Sequence, residues 1–309
     1  MVGGLEWLGA RARWALLLGC CAALALPQIG AILRPALPVF VALIYALAML
    51  RIDLPGVARR LIDPRRALLT WPLALAMTAG SAAASLWVAR ALGAGPAVEA
   101  ALVFAFLAPP IGSSAAMCLL LGLNAALALE MTVLCSFALP FVAPPVAQAL
   151  LGAQLTLSPF DLGARMAAMV FGGVALALVL RRLIPPGFIA RRARAFDGAA
   201  TLSMLVFAFP LFDGVAATLV AEPALGLGLL ALSCLILLGP QIAGLALARG
   251  PDAGAAGLVW GMRSVAIFLA ALPPEPRFSL FVALYQFPMY GTPLLLGALY
   301  RRRSARNSG

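Results

Sequence analysis

The sequence predicts an all-α polytopic membrane protein with ten transmembrane helices. Its 309 residues are 64% hydrophobic and only 11% charged, and a soluble domain of this length could not bury that much apolar surface. The apolar residues also form repeated continuous runs of the length, about 20 residues, that a helix needs to cross a bilayer. Continuous runs, without strict alternation, argue against lipid-facing β structure.

Arginine-rich or Pro/Gly-rich breaks separate ten such runs. The predicted spans are residues 14–33, 36–50, 67–89, 97–121, 125–150, 164–184, 198–220, 224–247, 254–272 and 278–300. Arg11 and Arg13 precede the first run, as they would in a signal peptide. Because nine further spans follow, we interpret the first run as an uncleaved helix, with a processed leader as the alternative.

The placement of arginine orients the predicted bundle. If the N-terminus is cytoplasmic, 17 of the 22 arginines fall in inside segments, four fall in outside loops, and Arg263 alone lies within a span. The positive-inside rule therefore predicts a multi-pass protein of the cell membrane, in a bacterium the inner membrane, with both termini cytoplasmic. The net charge of +11 then reflects topology and anionic lipid headgroups, so the bilayer is the expected partner and nucleic acid is not.

The ten spans divide into two halves. Residues 1–151 hold five spans, residues 152–163 form a connecting loop, and residues 164–309 hold the other five. Because an odd number of spans separates the halves, a structural repeat between them must have inverted topology, an arrangement common in transporters.

The fourth and ninth spans each carry helix-breaking residues near mid-membrane depth: Pro109, Pro110 and Gly112 in the fourth, Gly257 and Gly261 in the ninth. Proline removes a backbone donor and glycine relaxes the backbone, so both helices should be interrupted. Unpaired backbone groups are tolerated in a membrane only where they line protein or water. The breaks therefore predict a substrate or ion site, and two kinks that only shape packing are the alternative.

Residues around the first break resemble the fourth and fifth helices of the bile acid:sodium symporter family. The matching residues are Pro109–Ala115, Gly122, Asn124–Leu127, Thr132, Pro140 and Pro144. Phe40–Met77 is similar to the second and third helices of that family, and Gly261–Ser264 is similar to its ninth-helix crossover.

This resemblance implies a fold and a function. The fourth and ninth helices would cross in a core domain beside a panel domain, with each domain drawn from both repeats. The protein would be a secondary active transporter of a small organic anion that works by alternating access. The identity of the anion and the direction of transport stay open.

The sodium sites of the family are only partly matched. Family members usually bind two sodium ions through side-chain oxygens, and Ser114 and Thr132 stand at two matching positions. Other matching positions hold apolar residues: Ala74, Ala115, Ala128 and Val259. Because sodium needs several oxygen ligands, we predict no confident metal site and no other cofactor. Coupling to sodium, coupling to protons and uncoupled transport all stay open.

Arg263 stands where the family usually has a glutamine. An arginine within a span is costly unless it faces a cavity or a partner, so it is a functional candidate. We hypothesise that it replaces a bound cation, either by holding the crossover together or by attracting the carboxylate or sulfonate of the substrate. Pairing with a buried acid or with carbonyls is the structural alternative. With Ser113, Ser114, Thr132 and Ser264 it forms the predicted substrate or ion site.

Acidic residues within the spans are candidates for ion coupling. Glu130 lies in the fifth predicted span and Asp213 in the seventh, while Glu99 lies near the start of the fourth. Such carboxylates should either pair with Arg263 or carry protons.

Two other classes of function compete with a transporter. Membrane enzymes that handle phosphates or metals need clustered acids or histidines; no two acidic residues here lie within eight positions of each other and histidine is absent, so we do not expect an enzyme. A non-transporting membrane sensor or scaffold is the alternative to a transporter.

Overall fold

The computed structural model describes residues 2–50, 52–184, 186–247 and 251–300. Within these ranges the chain is helical almost throughout, and its one β-type contact is an isolated bridge between two helix breaks. Some of the basic residues that support the predicted orientation lie outside the described residues: Arg51, Arg249 and the arginines at 301–306.

The described part of the chain before the connecting loop forms ten helices. They are α1 (Val2–Ala10), α2 (Ala12–Ala25), α3 (Pro27–Leu33), α4 (Leu37–Leu50), α5 (Leu54–Ile62), α6 (Pro64–Leu75), α7 (Ser81–Ala91), α8 (Pro96–Leu107), α9 (Ser114–Leu120) and α10 (Ala125–Leu151). A π-helical segment, Ala76–Gly80, joins α6 to α7.

Eight helices follow in the described second half. They are α11 (Pro159–Leu183), α12 (Pro186–Arg191), α13 (Ala193–Leu211), α14 (Val215–Ala221), α15 (Pro223–Leu247), α16 (Pro251–Gly261), α17 (Ala266–Ala271) and α18 (Pro276–Leu295).

Six helices of the described residues are long and apolar enough to cross a membrane, so the chain is an all-α multi-pass membrane protein. They are Pro27–Leu50, Pro64–Ala91, Ala125–Gln154, Pro159–Leu183, Ala193–Leu211 and Pro223–Ala246. Gly3–Ala10 and Trp14–Ala25, which meet at 90°, make a seventh if the bent pair is one span.

The first two predicted spans have a different boundary from the one we expected. We placed it at Arg34–Pro35, but the chain bends at Leu26 and Pro27 begins a new helix. Pro27–Leu50 then continues as one helix through a 3-10 turn. Pro35 lies in the first turn of that 3-10 segment, where a missing N–H is tolerated, so it does not end the helix.

Two other boundaries also differ from the prediction. The eleventh helix begins at Pro159, earlier than the predicted 164, because the Ser158 side chain accepts a hydrogen bond from the Asp161 N–H and caps it. α13 ends at Leu211, so Asp213 lies in the turn before α14 and not within a helix.

The interrupted helices lie in the middle of the protein. α16 packs against α9, α10 and α15, while α17 packs against α4, α11 and α18. On the side of α8 and α17, the rings of Phe104 and Phe268 are 4.8 Å apart. On the side of α9 and α16, the Asn124 amide donates a hydrogen bond of 2.5 Å to Asp252. Contacts between α8 and α17 on one side, and between Asn124 and α16 on the other, therefore flank the two breaks.

Candidate functional site

The first break follows from two consecutive prolines. α8 ends at Leu107, and Ala108 is extended (φ −61°, ψ 146°) because a residue before proline avoids the helical region. Pro109 and Pro110 then follow without backbone donors. The helix resumes at Ser114, whose N–H donates to the Ile111 carbonyl at 3.0 Å.

The second break is shorter and contains no proline. α16 ends at Gly261 and α17 begins at Ala266. A Cβ atom added to Gly261 would lie 2.1 Å from the Leu237 carbonyl oxygen of α15, so only glycine fits there. Gly257, which we predicted to help break the helix, lies inside α16 and packs against the Pro240 carbonyl.

The two breaks bind each other through the backbone. The Ile111 N–H donates to the Met262 carbonyl at 3.1 Å, and the Ser264 N–H donates to the Pro109 carbonyl at 2.8 Å. Pro110 and Arg263 therefore form an antiparallel bridge. The bonds flank this pair, which is its non-hydrogen-bonded position, so the missing N–H of Pro110 leaves no acceptor unsatisfied. We call the bridged residues Ala108–Ser113 and Met262–Val265 the crossover.

The Arg263 side chain closes the crossover. It is 1% exposed, and its guanidinium donates three hydrogen bonds to carbonyls. Nε reaches the Trp260 oxygen at 2.8 Å, Nη1 the Ala108 oxygen at 3.0 Å, and Nη2 the Met77 oxygen at 2.6 Å. No carboxylate of the described residues lies within 4.0 Å of this guanidinium.

Two of these acceptors are carbonyls at the ends of interrupted helices, which lack the usual partner in the next turn. Ala108 and Trp260 lie at the C-terminal ends of α8 and α16, where a helix carries partial negative charge. Met77 lies in the π-helical segment, where altered hydrogen bonding changes the direction of the carbonyls. The positive charge of Arg263 therefore has three backbone dipoles as its partners.

Tyr285 of α18 satisfies two further backbone groups at the second break, and the sequence did not indicate this role. The Arg263 N–H donates to its hydroxyl at 3.1 Å, and the hydroxyl donates to the Gly261 carbonyl. The one available signal was that a tyrosine in an apolar run needs a partner for its hydroxyl. Trp260, also at this break, donates from its indole to the Ser81 hydroxyl at 3.0 Å.

The predicted hydroxyl residues are divided between two environments. Ser113 is exposed and Ser264 is partly exposed, and both belong to the crossover. Ser114 and Thr132 are buried, on the mutually packed α9 and α10. Thr132 donates to the Ala128 carbonyl of its own helix at 2.7 Å, whereas Ser114 Oγ has no hydrogen-bond partner among the described residues.

The side chains at the predicted sodium positions supply few of the oxygens that a sodium ion needs. Ser114 is the single predicted ligand with an unpartnered buried oxygen in the described chain, and one hydroxyl cannot replace a hydration shell. Ala128 and Val259, fully buried at positions that resemble sodium-binding ones, offer only methyl groups. The packing of the described residues gives no hydrogen-bond partner that would explain a hydroxyl at Ser114.

None of the three acids binds Arg263, and each lies near other arginines. Asp213 accepts a hydrogen bond of 2.9 Å from Arg34, and Glu99 accepts one of 3.2 Å from Arg90. Glu130 lies 3.5 Å from Arg60 and 3.7 Å from Arg66. Arg263 therefore pairs with carbonyls and not with a buried acid.

Comparison with protein-family models gives no match, and no curated protein has a significantly similar sequence.

Proposed function

We propose that the protein is a secondary active transporter of a small organic anion, working by alternating access as the resemblance to bile acid:sodium symporters implies. One observation carries this proposal. Two interrupted helices bind each other through their breaks, in a bridge between residues more than 150 positions apart. Paired discontinuous helices of this kind form the binding sites of many transporters, because non-helical backbone survives at membrane depth only where protein or water satisfies it.

The proposed anion site is the accessible side of the crossover. Gly112 and Ser113 are exposed there, and Ser264 is partly exposed. The hydroxyls of Ser113 and Ser264 can donate to a carboxylate or sulfonate. The two inverted repeats, residues 1–151 and 164–309, belong to this proposal, since alternating access would move one part of the bundle against the crossover.

Arg263 has the role of a tethered cation in this proposal. Its charge lies at the helix ends permanently, so the crossover would need no sodium ion to hold it together. Because its guanidinium is buried and donates to three carbonyls, this geometry supports tethering over direct attraction of the substrate. Proton coupling through Glu130 or Asp213 is a second form of the proposal.

Uptake into reconstituted vesicles tests the proposal. A panel of labelled organic anions would be offered with a sodium gradient, with a proton gradient and with neither. We expect at least one anion to enter without sodium, and we expect Arg263→Gln to lower its uptake by more than about tenfold, the loss that 1.4 kcal/mol produces. A strict sodium requirement would contradict the role given to Arg263.

Arg165→Gln is the matched control. Arg165 also donates to a helix-terminal carbonyl, that of Ala271 at 3.1 Å, but lies outside the crossover. Its replacement should leave uptake nearly unchanged. If no anion enters the vesicles although one stabilises the protein, the alternative of a membrane sensor or scaffold replaces the transporter.

A further inference from the structure

The contact surface between α6 and α10 contains a carboxylate with incomplete partners. Glu130 is 1% exposed, and neither of its oxygens has a hydrogen-bond partner among the described residues. Arg60 and Arg66 approach to 3.5 and 3.7 Å, too far to bond well. A buried carboxylate is costly without hydrogen bonds, so Glu130 attracts both guanidinium groups toward one point.

The two arginines keep free donors on their outer side. Their side chains are 52% and 44% exposed. A guanidinium has five N–H donors, and a carboxylate at this distance occupies few of them. Arg59 and Arg65 are their neighbours in sequence, while Asp63 caps α6 by accepting from the Arg65 N–H. The surface therefore carries an excess of positive charge.

An apolar crevice lies between α6 and α10, and the π-helical segment and α8 also line it. Its volume is about 70 Å³. The residues that line it include Trp71, Ala74, Leu75, Leu134 and Ala138. Along α10, Leu134 lies about one turn, or about 6 Å, after Glu130, and along α6, Ala74 lies about two turns, or about 12 Å, after Arg66.

The rim of the crevice is open and apolar. Trp71 and Leu75 are about half exposed, and Ile62, Leu68 and Leu69 nearby are exposed as well. Arginines beside exposed aliphatic and aromatic side chains are typical of the boundary between lipid headgroups and acyl chains.

We propose that an anionic phospholipid binds at the contact of α6 and α10. Its phosphate binds the outer donors of Arg60 and Arg66, which Glu130 positions from the buried side, and part of one acyl chain enters the crevice. The occupant must be acidic at one end and apolar over the rest, and in a bilayer such molecules are present at high local concentration. This inference does not depend on the transport function.

Native mass spectrometry of the delipidated protein tests the site. The protein would be titrated with dioleoyl phosphatidylglycerol or dioleoyl phosphatidylcholine. We expect preferential retention of phosphatidylglycerol. Binding should weaken about tenfold or more in the double variant Arg60→Gln/Arg66→Gln, because both charges that contact the phosphate are removed. The matched control Arg59→Gln/Arg65→Gln removes the same charge from the same segment and should change binding less than about twofold.

A second variant tests the apolar part and leaves every arginine in place. Ala138→Leu fills the crevice and should weaken phosphatidylglycerol binding several-fold. Equal retention of phosphatidylcholine, or equal losses in the two double variants, would overturn the proposal. Displacement of the lipid by glycerol phosphate at equal concentration would instead assign the arginines to a soluble phosphate, which also overturns it.

Discussion

Arg263 and the helix ends around it compensate each other. An isolated arginine in hydrocarbon is unfavourable, and so is a helix that ends in hydrocarbon with free carbonyls. Here three guanidinium N–H groups bind carbonyls of Met77, Ala108 and Trp260. The side chain therefore joins three segments that are distant in sequence, which a compact cation held by oxygen ligands could also do.

Tyr285→Phe tests whether the tyrosine hydroxyl stabilises the backbone at Arg263. The change removes the hydroxyl that accepts from the Arg263 N–H and donates to the Gly261 carbonyl. Two buried backbone groups then lose their partner, so we expect the free energy of unfolding to fall by about 1 to 3 kcal/mol. Unfolding in mixed micelles titrated with a denaturing detergent measures it. Tyr290→Phe on the same helix is the control, and an equal loss there would contradict the assignment.

Sequence reasoning could identify Arg263 but not its partners. A single arginine within an apolar run is visible in the sequence. The two consecutive prolines, of which Pro110 stands opposite Arg263, are visible as well. The Met77 carbonyl could not be singled out, because every residue has a carbonyl and the sequence does not reveal the π-helical segment that contains this one. The attachment of Tyr285 depends on how α18 packs, which local patterns do not encode.

At the scale of the helices, the register of the crossover explains why proline is compatible with a β-type contact. Pro110 stands opposite Arg263 at the position that needs no donor, while Ile111 and Ser264 supply the two N–H groups. A shift of one residue would place proline where a donor is required and would lose a bond. The two consecutive prolines therefore both end α8 and restrict how the breaks can pair.

Gly261→Ala should disrupt the approach of α15 to the second break. The new methyl group would lie 2.1 Å from the Leu237 carbonyl oxygen. Because backbone must move to relieve this contact, we expect a loss of about 3 kcal/mol or more in unfolding free energy, measured by the same detergent titration.

Gly172→Ala provides the control for that substitution. Gly172 lies within α11, and a methyl group added there would meet open space, with no atom within 4 Å. Alanine is the better helix former, so this change should be neutral or stabilising by up to about 1 kcal/mol. If both variants lose stability equally, close packing at Gly261 is not the cause.

Glycine was the weakest predictor of helix interruption. The sequence indicated breaks from prolines at 109 and 110 and from glycines at 257 and 261, and both interruptions are present. Gly257, however, lies in an unbroken part of α16, where its missing side chain allows the Pro240 carbonyl to approach. A glycine that bends a helix and a glycine that admits a neighbour look the same in a sequence.

Across the whole molecule, arginines repeatedly bind the C-terminal carbonyls of helices. Arg90 donates to the Leu150 carbonyl at the end of α10, and Arg181 donates to the Met49 and Leu50 carbonyls at the end of α4. A positive charge is favourable at the negative end of a helix. These arginines therefore contribute to packing between helices as well as to the charge asymmetry used to predict orientation.

The predicted orientation can be tested by labelling single cysteines in a cysteine-free background. Ala58 and Ala153 are exposed, and the polypeptide between them should cross the membrane three times. We expect a membrane-impermeant thiol reagent to reach Ala58→Cys only from the cytoplasmic side and Ala153→Cys only from the opposite side. Labelling of both from one side would rule out the predicted topology of this half.

The spanning helices were predictable because length and apolar content are properties of local sequence. Their number and grouping were harder, as the first boundary shows: Pro27 and Pro35 are equal candidates in the sequence, and packing makes only Pro27 the bend. The two halves of each interrupted helix are individually too short to be identified as a span, so the ten-helix count stays a prediction. The inverted repeat stays a prediction as well.

The bond between Arg263 and Ala108 has a consequence for how the protein is made. The two residues are 155 positions apart, and at ribosomal speeds of 5–20 residues per second the arginine emerges roughly 8 to 30 s after the end of α8. During that interval the C-terminal end of α8 lacks the guanidinium that binds the Ala108 carbonyl in the folded protein. The Ala108 carbonyl therefore needs another hydrogen-bond donor, from water or from the insertion machinery, until the second half of the chain is made.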